Sequence, residues 1–212
     1  MASGSHALLV LVLLLNLFVL GASRLRTIIL AVAFQGVLLA LLPPFLHHEL
    51  GWRGIAVAVG ALAVKGVAIP KMLMRAMVDL PIRREVEPLV GFRASLVLGA
   101  IGTGGALLLG RLVPVLEEGD QMVVATAIAS VLTGFLVLTT RLKAITQVLG
   151  YLILENGIYV FGMLLLQATP FLVEVGVLLD LFVAIFVMGI MINHISRAFT
   201  SISTDRLTAL KD

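Results

Sequence analysis

A single carboxylate, Glu155, lies near the middle of a long apolar run of the sequence, Gln147–Gln167. An ionised side chain at the centre of a bilayer is costly, so residues of this kind are rare and usually functional. A carboxylate escapes most of that cost by taking up a proton. At 1.5 Å per residue, Glu155 is about 12 Å beyond Gln147 and close to the midplane. This position predicts a residue that handles protons or cations. The alternative is a permanently protonated Glu155 that hydrogen-bonds to a neighbouring helix.

Three more polar residues are candidates for the same pathway. Asn156 adds an amide at the depth of Glu155. In the next apolar run, Phe171–Ile192, Asp180 is about 14 Å deep and is predicted to be functional. Glu174 lies near the outer rim of that run, about 120° around the axis from Asp180. Either residue fits the role of a second pathway carboxylate, and a solvated Glu174 is an equally open alternative.

One lysine, Lys65, lies inside a predicted membrane helix. A lysine near a helix end commonly extends its ammonium group to the membrane surface. Lys71 and Arg75, however, already occupy that interface, and Lys65 lies a turn or more deeper. We therefore expect Lys65 to pair with a carboxylate and tune its charge. Extension of the lysine to the surface is the alternative.

The composition is that of an integral membrane protein. Hydrophobic residues make up 60% and charged residues 13% of the chain, and the mean hydropathy is +1.15, whereas soluble domains carry about 25% charged residues. The chain has no cysteine, which excludes disulfides, thiolate metal sites and iron–sulfur ligation. We expect no catalytic residue, cofactor or metal site in this chain, and no nucleic-acid binding.

Seven apolar runs approach the roughly 20 residues that a membrane-spanning helix needs. They lack the alternation of a membrane barrel, so the predicted fold is all-α, a polytopic helical bundle in a single membrane domain, 1–212. The runs are His6–Ser23, Ile28–Leu46, Ile55–Leu73, Ala94–Val113, Val123–Thr140, Gln147–Gln167 and Phe171–Ile192. The first four helices occupy 6–113 with a cytoplasmic loop at 71–93, the last three occupy 123–192, and 193–212 is a cytoplasmic tail. Helix ends are expected at the prolines, including Pro70. The first run is expected to be a retained helix rather than a signal peptide.

Lysine and arginine alternate between the loops in a way that predicts orientation. With the N-terminus outside and the C-terminus inside, twelve of the 15 basic residues fall in inside segments and two fall outside. The inside residues are Arg24, Arg26, Lys71, Arg75, Arg83, Arg84, Arg93, Arg141, Lys143, Arg197, Arg206 and Lys211; the outside residues are Arg53 and Arg111.

The longest inside loop carries charges of both signs at Arg83, Arg84, Glu85 and Glu87. This mixture next to a membrane indicates a docking surface for a partner, with a solvated loop as the alternative. Small polar residues also follow one face of the fifth predicted helix, at Thr126, Ser130, Thr133 and Thr140. They are expected to bring helices close together, and a water path is the alternative.

Several segments resemble the hydrogenase-4 component E family. The segment Gly150–Gly157 resembles that family's GYL-x-LENG motif, and Val173–Asp180 is similar to its VE-x-GVLLD motif. Lys65, Ile69-Pro70 and Arg84–Pro88 resemble its earlier portion. The resemblance extends from about the third to the seventh predicted helix, whereas the first two helices are generic.

The resemblance implies a subunit in the membrane arm of a group 4 NiFe-hydrogenase or formate hydrogenlyase-like complex, in the inner (plasma) membrane of a prokaryote. Antiporter-like membrane subunits and a peripheral hydrogenase module would be its partners, and the NiFe and iron–sulfur centres would lie in those partners. The last three helices look like the K-type subunit of respiratory complex I and the C-type subunit of multisubunit Na⁺/H⁺ antiporters. By this resemblance Glu155 matches the first intramembrane glutamate of the K-type subunit, and Glu174 or Asp180 matches the second. H⁺ and Na⁺ both remain open as the ion.

Two other functions stay open at this point. A stand-alone cation or proton transporter would favour an internal repeat and helices broken by Gly or Pro at the midplane, and no convincing repeat is present. A purely structural membrane subunit would keep its carboxylates buried and protonated.

Overall fold

The computed structural model describes residues 2–42, 59–60, 62–79, 88–112 and 118–165, and these residues form helices without a strand. In chain order the helices are α1 (Ala2–Gly21), α2 (Leu25–Ala40), a π-helical segment (Val64–Ala68), α3 (Ile69–Asp79), α4 (Phe92–Leu112), α5 (Glu118–Thr140) and α6 (Ala144–Leu165). The all-α prediction is confirmed for this part of the chain. The predicted seventh helix, Phe171–Ile192, lies outside it.

Three of the described helices are long and apolar enough to cross a membrane by length and composition. These spans are Gly4–Gly21, Phe92–Leu112 and Gln121–Thr140, and α2 is a shorter apolar helix. Continuous apolar runs fold as helices in a bilayer because the bilayer core offers no water, and in a helix each backbone polar group finds a partner within its own segment. The total of seven spans and their orientation remain predictions.

Helix α4 presents small residues to the protein and large apolar residues outward. Its buried residues are Ser95, Gly99, Thr103, Ala106 and Gly110. Leu98, Ile101, Leu108 and Leu112, by contrast, are exposed. A helix that packs on one face and contacts acyl chains on the other has this distribution, because small residues let helix backbones approach closely.

Glycines bring α5 and α6 into close contact. A Cβ atom at Gly134 would lie 2.5 Å from the backbone nitrogen of Leu154, and one at Gly157 would lie 2.8 Å from that of Val131. A Cβ atom at Gly150 would likewise lie 2.8 Å from the backbone nitrogen of Leu138. No side chain fits at these three positions while the helices keep this separation. The backbones of α5 and α6 therefore pack in direct contact, and α6 carries Glu155.

The expected helix end at Pro70 is wrong, because the helix continues through this proline to Asp79. Proline lacks an amide hydrogen, and its ring clashes with the carbonyl four residues earlier. Here that carbonyl belongs to Gly66, which lies in the wider π-helical turn, where the Ile69 amide bonds to the Val64 carbonyl. The π-helical segment therefore absorbs the clash, and α3 extends into the predicted loop 71–93.

One buried arginine joins three parts of the chain at one end of the bundle. Arg141, 2% exposed, donates from Nη2 to the carbonyl of Leu20 at 3.0 Å and from Nη1 to that of Val90 at 3.4 Å. Its guanidinium lies 4.9 Å from the centre of the Phe92 ring. The end of α1, the start of α4 and the turn between α5 and α6 therefore meet at Arg141.

Candidate functional site

A buried ion pair joins the π-helical segment to α6. Lys65 Nζ lies 2.8 Å from Glu155 Oε1, and the two side chains are only 10% and 8% exposed. Replacing a buried ion pair by apolar side chains is often neutral or stabilising. Stability alone therefore does not account for two charges at this position.

Lys65 makes two further contacts with α6. Its Nζ donates to Asn156 Oδ1 at 3.2 Å, and it lies 5.0 Å from the centre of the Tyr159 ring. An ammonium over an aromatic face within about 6 Å is attracted by the ring. The lysine thus contacts an anion, an amide oxygen and a π face on one helix.

The π-helical segment and two glycines position Lys65. A Cβ atom at Gly36 of α2 would lie 2.9 Å from Lys65 Cβ, and one at Gly66 would lie 2.9 Å from Val37 Cγ2. The absence of side chains at these glycines lets α2 and the π-helical segment touch. One extra residue in a turn also rotates the preceding face by about 100°. Both features determine where the Lys65 ammonium lies.

Three amide side chains continue the site away from the ion pair. Asn156 Nδ2 donates to Gln35 Oε1 at 3.4 Å, and Gln35 Nε2 donates to Asn16 Oδ1 at 2.9 Å. Asn16 Nδ2 then donates to Ser130 Oγ at 2.9 Å. We call these four residues, Asn156, Gln35, Asn16 and Ser130, the amide chain. Each of the four is at most 3% exposed, so the amide chain crosses the interior from α6 to α2, α1 and α5.

A small cavity opens beside Lys65 and Asn156. It is lined mainly by apolar residues that include Ile29, Leu73 and Leu152. Its volume of about 10 Å³ is at the lower limit for one water molecule. Lys65 and Asn156 therefore border a narrow space rather than an open channel.

The structure brings together three of the residues singled out in the sequence: Lys65, Glu155 and Asn156. Their geometry is that of a pair with an adjoining amide, whereas their role in an ion pathway stays a prediction. Asp180, Glu174 and the docking residues Arg83, Arg84, Glu85 and Glu87 lie outside the described residues. Of the small polar residues of α5, Thr126 donates to the carbonyl of Met122 in its own helix, and Ser130 accepts from Asn16 of α1.

Asn16 and Gln35 were missed by reasoning from the sequence. Each is a lone amide in an apolar run of a kind that otherwise reads as generic membrane helix. The available signal was the one applied to Glu155: a buried amide in an apolar setting needs hydrogen-bond partners. Which partners it finds depends on contacts between α1, α2 and α5, which a single sequence does not reveal.

Comparison with known proteins gives a relative over nearly the full length. The uncharacterized protein Rv0085 of Mycobacterium tuberculosis is 34% identical over 202 residues, covering 94% of this chain and 92% of that protein. The chain belongs to the Rv0085 family. No family model and no solved structure matches it.

This member of the Rv0085 family is also similar in part to a named hydrogenase component. Hydrogenase-4 component E of Escherichia coli is 31% identical over 96 residues, and the protein of the same name from Shigella flexneri gives the same values. The aligned part covers 45% of this chain and 44% of the E. coli protein. The chain thus matches less than half the length of those relatives, a shorter extent than the motifs indicated.

Proposed function

We propose that this chain is a non-catalytic membrane-arm subunit of a redox-driven, complex I-like group 4 NiFe-hydrogenase or formate hydrogenlyase-type complex. In it, the chain contributes buried charges to the translocation of protons or Na⁺. The partial similarity to hydrogenase-4 component E supports the class of complex. The Lys65–Glu155 pair at 2.8 Å is the observation that carries the proposed role in moving charge.

The pair suits this role because its two members control each other's charge. An ammonium within a few ångströms favours the ionised form of a carboxylate, and burial without it favours the protonated form. A shift of Lys65 toward or away from Glu155 would therefore release or bind a proton. The π-helical segment that carries Lys65 belongs to a different element from Glu155, so relative movement of the two helices would change their separation.

The redox chemistry belongs to other subunits in this proposal. The chain has no cysteine, and iron–sulfur clusters are held mainly by cysteine thiolates, so its residues do not fit such centres. The NiFe and iron–sulfur centres are assigned to a peripheral hydrogenase module. Antiporter-like membrane subunits would continue the ion path in the inner (plasma) membrane, with Asp180 or Glu174 as the second carboxylate. The segment from Arg83 to Glu87 would dock a partner.

Substitution of Glu155 tests the proposal. Glu155→Gln keeps the size of the side chain and one oxygen that can accept from Lys65, but it has no proton to release. We expect redox-driven proton uptake in proteoliposomes to be abolished while the complex still assembles, and Glu155→Asp to retain part of the rate. The measurement is proton uptake by the purified complex, with subunit composition checked in parallel.

Thr103→Val is the matched control for this experiment. Thr103 is buried and polar, and it lies on α4, which contributes no residue to the pair or the amide chain. Its substitution is expected to leave proton uptake unchanged. Wild-type uptake by an assembled Glu155→Gln complex would support a scaffold instead. Purification of the chain alone, as a homo-oligomer, would point to a stand-alone transporter.

A further inference from the structure

The amide chain has a single direction of hydrogen bonding, and Lys65 determines it. An ammonium group only donates hydrogen bonds, so Asn156 must present its carbonyl oxygen to Lys65. The Asn156 amide nitrogen then donates to Gln35 Oε1, and the Gln35 nitrogen donates to Asn16 Oδ1. Asn16 completes the sequence by donating to Ser130 Oγ. All three carbonyl groups therefore face the lysine end of the chain.

Aligned amides of this kind stabilise a cation. Each carbonyl dipole has its negative end toward the ammonium, and hydrogen bonds in a chain polarise one another in a low-dielectric interior. The amide chain thus stabilises the charge of Lys65, as oriented water molecules would at the protein surface. A neutral lysine would gain little from the same dipoles.

We propose that the amide chain of Asn156, Gln35, Asn16 and Ser130 holds Lys65 as a positioned ammonium, so that Glu155 is the member of the pair that gains and loses the proton. Asn16 and Gln35 are positioning residues, since they act on the pair through Asn156. The first half of the proposal concerns charge stabilisation alone. The second half rests on the proposed function.

The contacts of Lys65 explain why Glu155 is the member that changes. When Glu155 binds a proton, the ammonium keeps the Asn156 oxygen at 3.2 Å and the Tyr159 ring at 5.0 Å. The cation is then still solvated by the protein. If Lys65 lost its proton instead, the Glu155 carboxylate would be buried beside a neutral amine. The aligned amide dipoles would then no longer face a cation.

A double-mutant cycle on thermal stability tests the first half with the purified chain alone. Gln35→Leu interrupts the amide chain, and Lys65→Met removes the cation. We expect Gln35→Leu to lower the melting temperature about twice as much when Lys65 is present as in the Lys65→Met background, because the linked residues are coupled. Equal losses in the two backgrounds would mean that Gln35 is only a buried hydrogen-bonding residue, and would overturn the proposal.

Ser130→Ala gives a milder interruption at the far end of the amide chain, and it replaces Gln35→Leu in the cycle if that variant does not accumulate. Gln35→Glu is the conservative variant. A glutamate that is buried without a cation in contact favours its protonated form, so at position 35 it would still accept from Asn156 and donate to Asn16. It is expected to restore most of the stability that Gln35→Leu loses. A glutamate no better than leucine would contradict the proposal.

Proton uptake by the assembled complex tests the second half. Gln35→Leu is expected to slow uptake about tenfold, the effect of ~1.4 kcal/mol, and Gln35→Glu to retain part of the rate, with Thr103→Val as the unaffected control. If Glu155→Gln abolishes uptake but Gln35→Leu does not slow it, this inference fails and the proposed function stands. If Glu155→Gln takes up protons normally while the stability cycle is coupled, the proposed function fails and the charge-stabilising role of the amide chain stands.

Discussion

Arg141 is a charged residue that belongs to the protein interior. Its guanidinium donates to the carbonyls of Leu20 and Val90 and covers the Phe92 ring. Burial lowers the pKa of Arg141, yet an arginine remains cationic at neutral pH. Leu20 lies in the last turn of α1, where carbonyls lack partners within the helix. The arginine therefore caps α1 while fixing the start of α4.

Removal of this guanidinium should destabilise the protein without touching the ion pair. Arg141→Met leaves the carbonyls of Leu20 and Val90 without that donor, and hydrogen bonds to charged groups contribute about 1.5–3 kcal/mol each. We expect the melting temperature of the purified chain to fall by several degrees. Arg141→Lys should recover only part of the lost melting temperature, since an ammonium lacks the planar fork that reaches both carbonyls.

The control for that substitution is Arg26→Met, at an exposed arginine near the start of α2. Its effect on the melting temperature should be within about a degree, because exposed substitutions usually change stability little. Similar losses for Arg26→Met and Arg141→Met would show that charge, rather than the buried contacts of Arg141, sets the stability at this end of the bundle.

Single residues also show where sequence reasoning reached its limit. Glu155 and Lys65 stood out because an isolated charge in an apolar run needs an explanation. Asn16 and Gln35 did not, since a lone amide costs less and is common in membrane helices. Arg141 looked like an ordinary loop arginine because its burial depends on contacts with Leu20 and Val90, far away in the sequence. The sequence gives the type and position of each of these residues, but it does not give the distant residues that they contact.

At the level of helices, hydropathy predicted the elements better than their ends. The sixth predicted run began at Gln147, whereas α6 begins at Ala144. The fifth began at Val123, whereas α5 begins at Glu118, because a polar first turn lies outside an apolar window. The prediction of a helix end at Pro70 was wrong for a different reason. The π-helical segment before Pro70 removes the clash between the proline ring and the carbonyl four residues earlier, which would end a regular helix.

The close packing of α5 and α6 leads to a prediction on a single helix. A Cβ atom at Gly157 would lie 2.8 Å from the backbone nitrogen of Val131, whereas one at Gly162 would meet nothing within 4 Å. Gly157→Ala must therefore separate the two helices, and overpacking costs about 1–3 kcal/mol. We expect its melting temperature to fall by about 2–10 °C, and that of Gly162→Ala to stay unchanged or rise slightly. Equal effects of the two substitutions would show that α5 and α6 are not held at this distance.

For the molecule as a whole, the contacts at Arg141 bear on topology. They place the end of α1, the start of α4 and the turn between α5 and α6 at one end of the bundle. A backbone hydrogen bond from Leu89 to the carbonyl of Thr140 at 2.8 Å joins the same segments. Arg24, Arg93 and Lys143 lie within a few residues of these contacts. These three basic segments, all assigned to the inside by the sequence, therefore meet at one end of the described bundle, and the side of the membrane that this end faces remains a prediction.

Which end faces the cytoplasm can be tested with single cysteines, since the natural chain has none. Ser23 and Leu142 are exposed at the basic end, and Leu112 is 73% exposed at the opposite end of α4. Because positively charged segments stay inside, an impermeant thiol reagent should label Leu112→Cys on intact cells. It should label Ser23→Cys and Leu142→Cys only after the cells are permeabilised. The reverse pattern would invert the predicted orientation. Lys65 would then lie in the outer half of the membrane, whereas the predicted orientation places it in the inner half. Labelling of Ser23→Cys and Leu142→Cys on opposite sides would separate two segments that Arg141 joins, and would contradict the arrangement of the bundle itself.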